Sequence, residues 1–401
     1  MKRTGLSWVP YIPDSWNVVR IKDIARLQSG EGITSDSIDS IGDYPVFGGN
    51  GLRGYTDSYT NEGNYVLIGR QGALCGNINY ANGKFFASEH AVVVYPHDRK
   101  ENTTWLGETL RAANLNRLSA SAAQPGLAVS VLNFQFIPYP PKEVRKRIGN
   151  YLDEKLAEIN KRITSLAKQQ DAYARLKKSI IHQAVTRGLN PDIFLKDSGI
   201  EWIGMIPEHW EVKRFKSIFS ECKSVTETGQ EDLLSVSEYY GIARRIDKMD
   251  DGEYESRADS LIGYKFCKKD DLVINIMLAW KRGLGFSDFD GIVSPAYAVY
   301  RGKNIVPHYF HYLMRTDMYV AEYKRNSKGI IDSRLRMYTD RFNNIIAIVP
   351  PLSEQEAIAS YLDEKCAKIG AAIENISKQI DASKRLKRAL INEVITGQRA
   401  V

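Results

Sequence analysis

The chain has 401 residues, 43% hydrophobic and 26% charged, the composition of an ordinary soluble protein with room for two or three domains. No apolar core of signal-peptide length follows Met1, and the most apolar stretch, near residues 272–280, is too short to cross a bilayer. The four cysteines (Cys75, Cys222, Cys267, Cys366) lie far apart with no CxxC pair and read as reduced thiols, so a cytoplasmic protein is expected; the formal charge of +7 is compatible with nucleic acid but weakly diagnostic.

In chain order, an opening Ile12-Pro13-Asp14-Ser15-Trp16 leads into short strand-like runs at residues 65–68 and 91–95. A helix is expected near residues 104–117. After Pro140-Pro141 the pattern turns helical over residues 142–187, with apolar positions Leu152, Leu156, Ile159, Ile163, Leu166, Tyr173, Ile180 and Ala184 at alternating spacings of four and three, the seam of a coiled coil. Gly188 marks its end. A second opening, Ile206-Pro207-Glu208-His209-Trp210, precedes a strand-like run at residues 272–276 and a helix expected near residues 307–323. Pro350-Pro351 then starts a second helix, with Ser353 and Glu356 at capping-box spacing and a seam through Leu362, Cys366, Ile369, Ile373, Ile376, Ile380, Leu390 and Val394 to Gly397.

The order of these parts is an internal repeat. The openings are offset by 194 positions (Ile12 to Ile206), and Tyr151-Leu152-Asp153-Glu154-Lys155 recurs intact as Tyr361-Leu362-Asp363-Glu364-Lys365 at an offset of 210. Without a gap, 18 of the 46 residues in 142–187 are identical to their partners in 352–397. The basic excess is uneven: residues 142–187 hold 12 basic and 5 acidic side chains, whereas residues 1–141 hold 12 of each. Two helices with matching stripes pack most simply on each other. With some 160 residues between them, a rigid spacer between two heads is expected rather than a plain structural hairpin or bundle, and an antiparallel pair would put the two middles at opposite ends, related by a pseudo-twofold axis. The expected divisions are a head at 1–141, a helix at 142–187, a linker and head at 188–351, and a helix at 352–401.

The two middles align poorly, so a repeated frame carries two different readers, and paired modules on a rigid ruler suit a bipartite DNA site. In the first middle, Asn50 after Gly48-Gly49, then Arg53, Arg70, Gln71, Arg117 and Gln124 are candidate DNA contacts, since Arg suits guanine and Asn or Gln adenine. In the second, Lys324, Arg325, Lys328, Arg334, Arg336 and Arg341, interleaved with Tyr319, Tyr323 and Tyr338 against Asp332 and Asp340, form a candidate strip. Arg244, Arg245, Lys281 and Arg282 are further candidates. Tyr151, Leu152, Tyr361 and Leu362, retained in both helices, are candidate partner contacts.

Over essentially its whole length the chain resembles the specificity subunits of Type I restriction–modification systems. The resemblance is carried by residues 198–204 (SGIEWIG) before Ile206-Pro207-Glu208-His209-Trp210, by residues 44–51 (YPVFGGNG), by residues 277–281 (MLAWK) with 290–297 (DGIVSPAY), and by residues 351–356 (PLSEQE). The first helix departs from the last motif, with Pro141-Lys142-Glu143-Val144 in place of the acidic-Gln start. The resemblance implies an α+β fold with two globular α/β target-recognition domains separated by two long antiparallel coiled-coil helices. It also implies a non-catalytic subunit reading an asymmetric bipartite site in double-stranded DNA. Two modification subunits that methylate adenine, and restriction subunits, would assemble on it. S-adenosylmethionine, ATP and Mg would belong to those partners, with no cofactor on this chain.

Three rival readings are weaker. Residues 47–51 fit the F-x-G-x-G pattern of a methyltransferase, but Tyr139-Pro140-Pro141-Lys142 and Val349-Pro350-Pro351-Leu352 lack the polar residue such enzymes need before Pro-Pro, and glycine here more simply supplies a hairpin turn. Residues 76–84 lack phosphate-loop spacing, and His308 with His311 has no third zinc ligand nearby. A protein-only scaffold leaves the two Arg/Tyr-bearing heads without a purpose.

Overall fold

A computed structural model describes residues 1–72, 74–119, 126–248, 260–331 and 334–401. The chain divides into two compact units, Met1–Lys168 with Ser377–Val401, and Gln169–Ile376. The division falls inside both long helices, Lys142–Arg187 and Leu352–Ile395, so each unit is closed by the last turns of the other copy's helix.

In the first unit a six-stranded sheet runs in the order Ala25–Ser29, Ala91–Pro96, Asn61–Gly69, Ile78–Ala87, Tyr44–Gly48, Gly51–Thr56. At its centre residues 66–68 and 91–94 are apolar runs buried on both faces, with the helix Thr103–Ala112 covering one side through Trp105, Leu106 and Leu110. The helical pair packs antiparallel here: Leu152 shares the core with Val394, and further along Asn160 Oδ1 accepts from Lys387 Nζ at 2.9 Å.

The second unit repeats this frame around a smaller sheet, in the order Phe219–Cys222, Tyr297–Gly302, Leu272–Asn275, Leu284–Phe286. The middles, which align poorly as sequence, share strand register: Leu67↔Val93 and Ala25↔Pro96 in the first unit become Val273↔Val299 and Phe219↔Gly302 in the second. Strand pairing depends on which face is buried rather than on identity, so the frame persists where identity does not. The strands Asn17–Arg20 with Phe136–Tyr139 and Glu211–Arg214 with Ile346–Val349 tie the start of each head to the residues just before its long helix.

The helix starts correct one expectation. The second long helix begins at Leu352 rather than after a Ser353 cap, and the side chain that serves its start is the buried Gln355, whose Nε2 donates to the Pro350 carbonyl at 2.8 Å. In the first helix the equivalent residue is Arg145, whose Nη1 donates to the Pro140 carbonyl at 2.7 Å. The departure from the acidic-Gln start therefore changes the residue and keeps the bond. Two further elements differ from expectation. The first-head helix ends at Ala112 and is followed by a short turn, Leu115–Leu118. The stretch near 307–323 is two helices, Pro307–Met314 and Asp317–Asn326, broken where the Thr316 hydroxyl bonds the Leu313 carbonyl. No helix among the described residues is long and apolar enough to cross a membrane.

Candidate nucleic-acid interface

In the first unit, Gly48↔Gly51 pairing leaves Gly49 and Asn50 as a two-residue hairpin tip, with Gly51 at φ +93°. The glycines are needed for close approach: a Cβ on Gly49 would lie 2.7 Å from the Gln71 carbonyl oxygen, and one on Gly69 only 2.1 Å from that of Gly49. The tip therefore seats against the turn that follows the central strand. That turn in turn packs on the segment carrying Arg117, with Asn116 Nδ2 donating to the Cys75 carbonyl at 2.8 Å.

Asn50, Arg53, Arg70, Gln71 and Arg117 are thus joined through one contiguous set of backbone contacts. Asn50, Arg53, Gln71 and Arg117 are exposed and Arg70 is half-buried. Among the described residues neither Arg53 nor Arg70 pairs with a carboxylate, and a guanidinium fork suits phosphate or base edges. Arg117 is partly spent on the Ala113 carbonyl, 3.2 Å away. Gln124 lies outside the described residues.

In the second unit the corresponding turn holds a second cluster. Leu127 N donates to the Arg70 carbonyl at 2.9 Å in the first unit, and Met337 N donates to the Ile276 carbonyl at 2.8 Å in the second. The loop before Met337 closes through a Lys328↔Arg336 bridge, with Gly329 folded against the Arg334 carbonyl. Lys281 and Lys324 lie over the Trp280 ring at 4.9 and 5.3 Å. Lys281, Lys324, Lys328 and Arg334 are exposed on these connected segments.

Other members of the expected strip have different work. Tyr319 and Tyr323 are fully buried, their hydroxyls donating to the Ile346 and Met314 carbonyls at 3.0 and 3.1 Å, so they are core rather than stacking groups. Burial pushes both phenols far above their ordinary range. Arg282 sits at φ +63° and binds Asp317 and the Arg315 carbonyl. Arg325 pairs with Glu322 at 2.7 Å, Arg341 lies 3.7 Å from Asp340, and Arg336 Nη1 donates to the Leu335 carbonyl at 2.8 Å. Tyr338 is exposed, and Asp332 lies outside the described residues. Arg244 pairs with Asp232 at 3.3 Å and lies over Phe289, while Arg245 is half-buried beside it.

Of the expected partner contacts, Leu152 and Leu362 are wholly buried in their own units' cores, and only Tyr151 and Tyr361 keep exposed surface. The period of the seam made the leucines visible but could not separate a core stripe from a docking stripe. Sequence reasoning missed Ile330 and Ile331, two exposed apolar side chains between Lys328 and Arg334. Their signal was an apolar pair in an otherwise polar, basic loop. It also missed Asn79 Nδ2 and His90 Nδ1, buried near the hairpin tip with no hydrogen-bond partner among the described residues. Among the described residues no group of three or more His, Cys, Asp or Glu is placed to hold a metal ion; His308 instead bonds Asp363 at 3.2 Å.

Residues 13–169 match the family model of the Type I restriction modification DNA specificity domain. The chain is 38% identical over 163 residues to the Type I restriction enzyme EcoprrI specificity subunit of Escherichia coli, a match covering 40% of each chain. It is 23% identical over 418 residues to the MjaVIII specificity subunit of Methanocaldococcus jannaschii, covering 96% of this chain and 93% of the relative. In fold it is similar to a chain from a structure titled as the basis of complex assembly and conformational transition of the type I R-M system, with TM-score 0.67, 14% identity and coverage of 97% and 100%. The HsdS subunit from Thermoanaerobacter tengcongensis gives TM-score 0.51 at 14% identity, with coverage of 97% and 99%. Residues 13–169 are thus similar to a Type I DNA specificity domain, and along nearly its whole length the chain is similar in sequence and in fold to specificity subunits of Type I restriction–modification systems.

Proposed function

We propose that this chain reads an asymmetric, bipartite site in double-stranded DNA, one half with each unit, and positions two modification subunits and, where present, restriction subunits upon it. The observation that carries this reading is the contrast between the units. Their frames share strand register and helix starts, while the clusters on the equivalent turn differ: Asn50, Arg53, Arg70 and Gln71 in one, Lys281, Lys324, Lys328 and Arg334 in the other. The same frame with different reading groups suits two different half-sites, and the long helices then fix the gap between them. Methyl transfer from S-adenosylmethionine and ATP- and Mg-dependent cleavage belong, on this reading, to the partners, and the complex works in the cytoplasm.

The test is fluorescence anisotropy of the chain with its modification subunit on duplexes selected from a random pool. The expected result is a split consensus with a fixed gap, bound with a steep loss of affinity as salt rises. A continuous consensus, or none, would count against the reading.

A further inference from the structure

The loop that leads into Met337 in the second unit carries two side chains for which hydrogen bonding and phosphate contact have no use. Ile330 and Ile331 are 101% and 52% exposed, so Ile330 projects as fully as it would from an extended chain. A single exposed aliphatic side chain is ordinary, but two in succession among cations make an apolar tip.

The tip is firmly held. Lys328 and Arg336 exchange backbone hydrogen bonds of 2.9 Å in both directions. Gly329, at φ +150°, passes so close to the returning chain that a Cβ would lie 2.6 Å from the Arg334 carbonyl oxygen. Arg334 N donates to the Ile331 carbonyl at 2.8 Å, and Leu335 and Met337 are buried just beyond it. Side chains on a clamped loop lose little freedom on binding, so the free energy of burying them is available to deform a ligand.

Charge selects that ligand. Lys328 and Arg334 flank the pair and are exposed, as are Lys281 and Lys324 over the Trp280 ring on the connected segments. An apolar protein groove would match the isoleucines and leave these four cations unmatched. Stacked bases between rows of phosphates match both. We propose that Ile330 and Ile331 form a wedge that enters the base stack of the half-site read by the second unit, opening one base step and bending the duplex there. The proposal rests on the functional reading above.

The wedge belongs to one half only. The matching stretch of the first unit, which precedes the Leu127 to Arg70 bond as this loop precedes that of Met337 to Ile276, is residues 119–126 (SASAAQPG), without leucine, isoleucine, valine or an aromatic residue. A pyrimidine–purine step opens most easily, so the wedge confers a sequence preference at a step that no side chain need hydrogen-bond.

The experiment uses the full chain with its modification subunit on the selected split-site duplex, comparing wild type with the double variant Ile330→Ala, Ile331→Ala. Permanganate reactivity maps unstacked thymines, leaving aside the one opposite the adenine to be methylated, and circular permutation locates the bend. In the wild type, a bend and any reactive thymine should fall at one step of the half-site that changes when residues 206–350 are exchanged. Both should be lost in the double variant and kept by Ile330→Leu. Affinity should fall about tenfold or less, because the lost apolar burial is offset by unstacking no longer incurred. Both positions are exposed, so thermal unfolding should not move.

Split-site binding with the same bend and thymine reactivity in wild type and double variant would overturn the proposal and leave the functional reading intact. Affinity that falls when thymine is replaced by uracil, without unstacking, would make the pair a methyl contact in the major groove instead. Loss of the modification subunit from the double variant would make it a protein contact. A wild type that binds no split site would overturn the functional reading along with the wedge.

Discussion

Gly397, at the end of the second long helix, lies against Trp16, near the start of the chain, so closely that a Cβ would sit 3.1 Å from the indole and 2.4 Å from Pro13. Gly188, at the end of the first helix, meets Trp210 in the same way, with its Cβ position 3.3 Å from that indole. Each Ile-Pro-x-x-Trp opening thus seats the helix end of the other copy, and both glycines are left-handed, at φ +72° and +76°.

Gly397→Ala and Gly188→Ala each combine backbone strain with a steric clash and should destabilise their own unit by about 1–3 kcal/mol. Gly397→Ala should cost more, because a rigid proline ring leaves less room than the indole edge. Thermal unfolding followed by limited proteolysis locates the loss; an unchanged midpoint for Gly397→Ala would contradict the packing.

The two helix starts give a graded comparison. Arg145 is buried and pairs with the equally buried Glu101 at 2.9 Å, so Arg145→Ala strands a carboxylate and should cost about 3–5 kcal/mol. Gln355→Ala removes neutral bonds to the Pro350 carbonyl and the Val306 N–H and should cost about 1–3 kcal/mol. Denaturant titration checks the order, and a costlier Gln355→Ala would reverse it.

His311 is held neutral, its pKa lowered to about 4 by burial and then by the neighbouring Arg315 cation. The unfolded chain protonates this histidine near pH 6.5, so between pH 6.5 and 4 it binds more protons than the folded one. This contribution to stability is complete above pH 6.5 and declines as pH falls toward 4, by roughly 3 kcal/mol. His311→Phe should flatten unfolding temperature against pH over that window; an identical slope in wild type and variant would show that His311 does not set it.

Substitutions in the two clusters should act on separate halves of the site. Gln71→Ala or Arg53→Ala should cost about 1–3 kcal/mol of binding and relax specificity in one half if the side chain meets a base edge. Where it meets phosphate, binding weakens uniformly and the salt slope falls by about one. Lys328→Ala and Arg334→Ala should do the same in the other half. Tyr319→Phe should leave DNA binding unchanged and cost about 1 kcal/mol of stability through its buried hydroxyl. Selection of binding sequences with each variant distinguishes these outcomes.

What was legible in the sequence was what repeats with a period. The seam from Leu152 to Ala184 and its copy from Leu362 to Val394 announced both helices, and the two Ile-Pro-x-x-Trp openings announced the duplication. The hairpin glycines 48, 49 and 51 were readable because φ and close approach demand them. The second cluster was half legible. A basic run interleaved with tyrosines looks alike whether the tyrosines stack on bases or fill a core, and burial of Tyr319 and Tyr323 depends on strands far away in sequence. The shared register of the two middles was hidden for the converse reason, since pairing survives changes that erase identity.

The central claim, that each unit reads one half of a split site, is tested most directly by mapping methylated adenines genome-wide in cells expressing the chain with its modification subunit. The wild type should be compared with a chain whose residues 206–350 are exchanged for those of another specificity subunit. The account predicts a bipartite motif in which the exchange alters one half and leaves the other half and the gap intact. Loss or change of both halves together would contradict it.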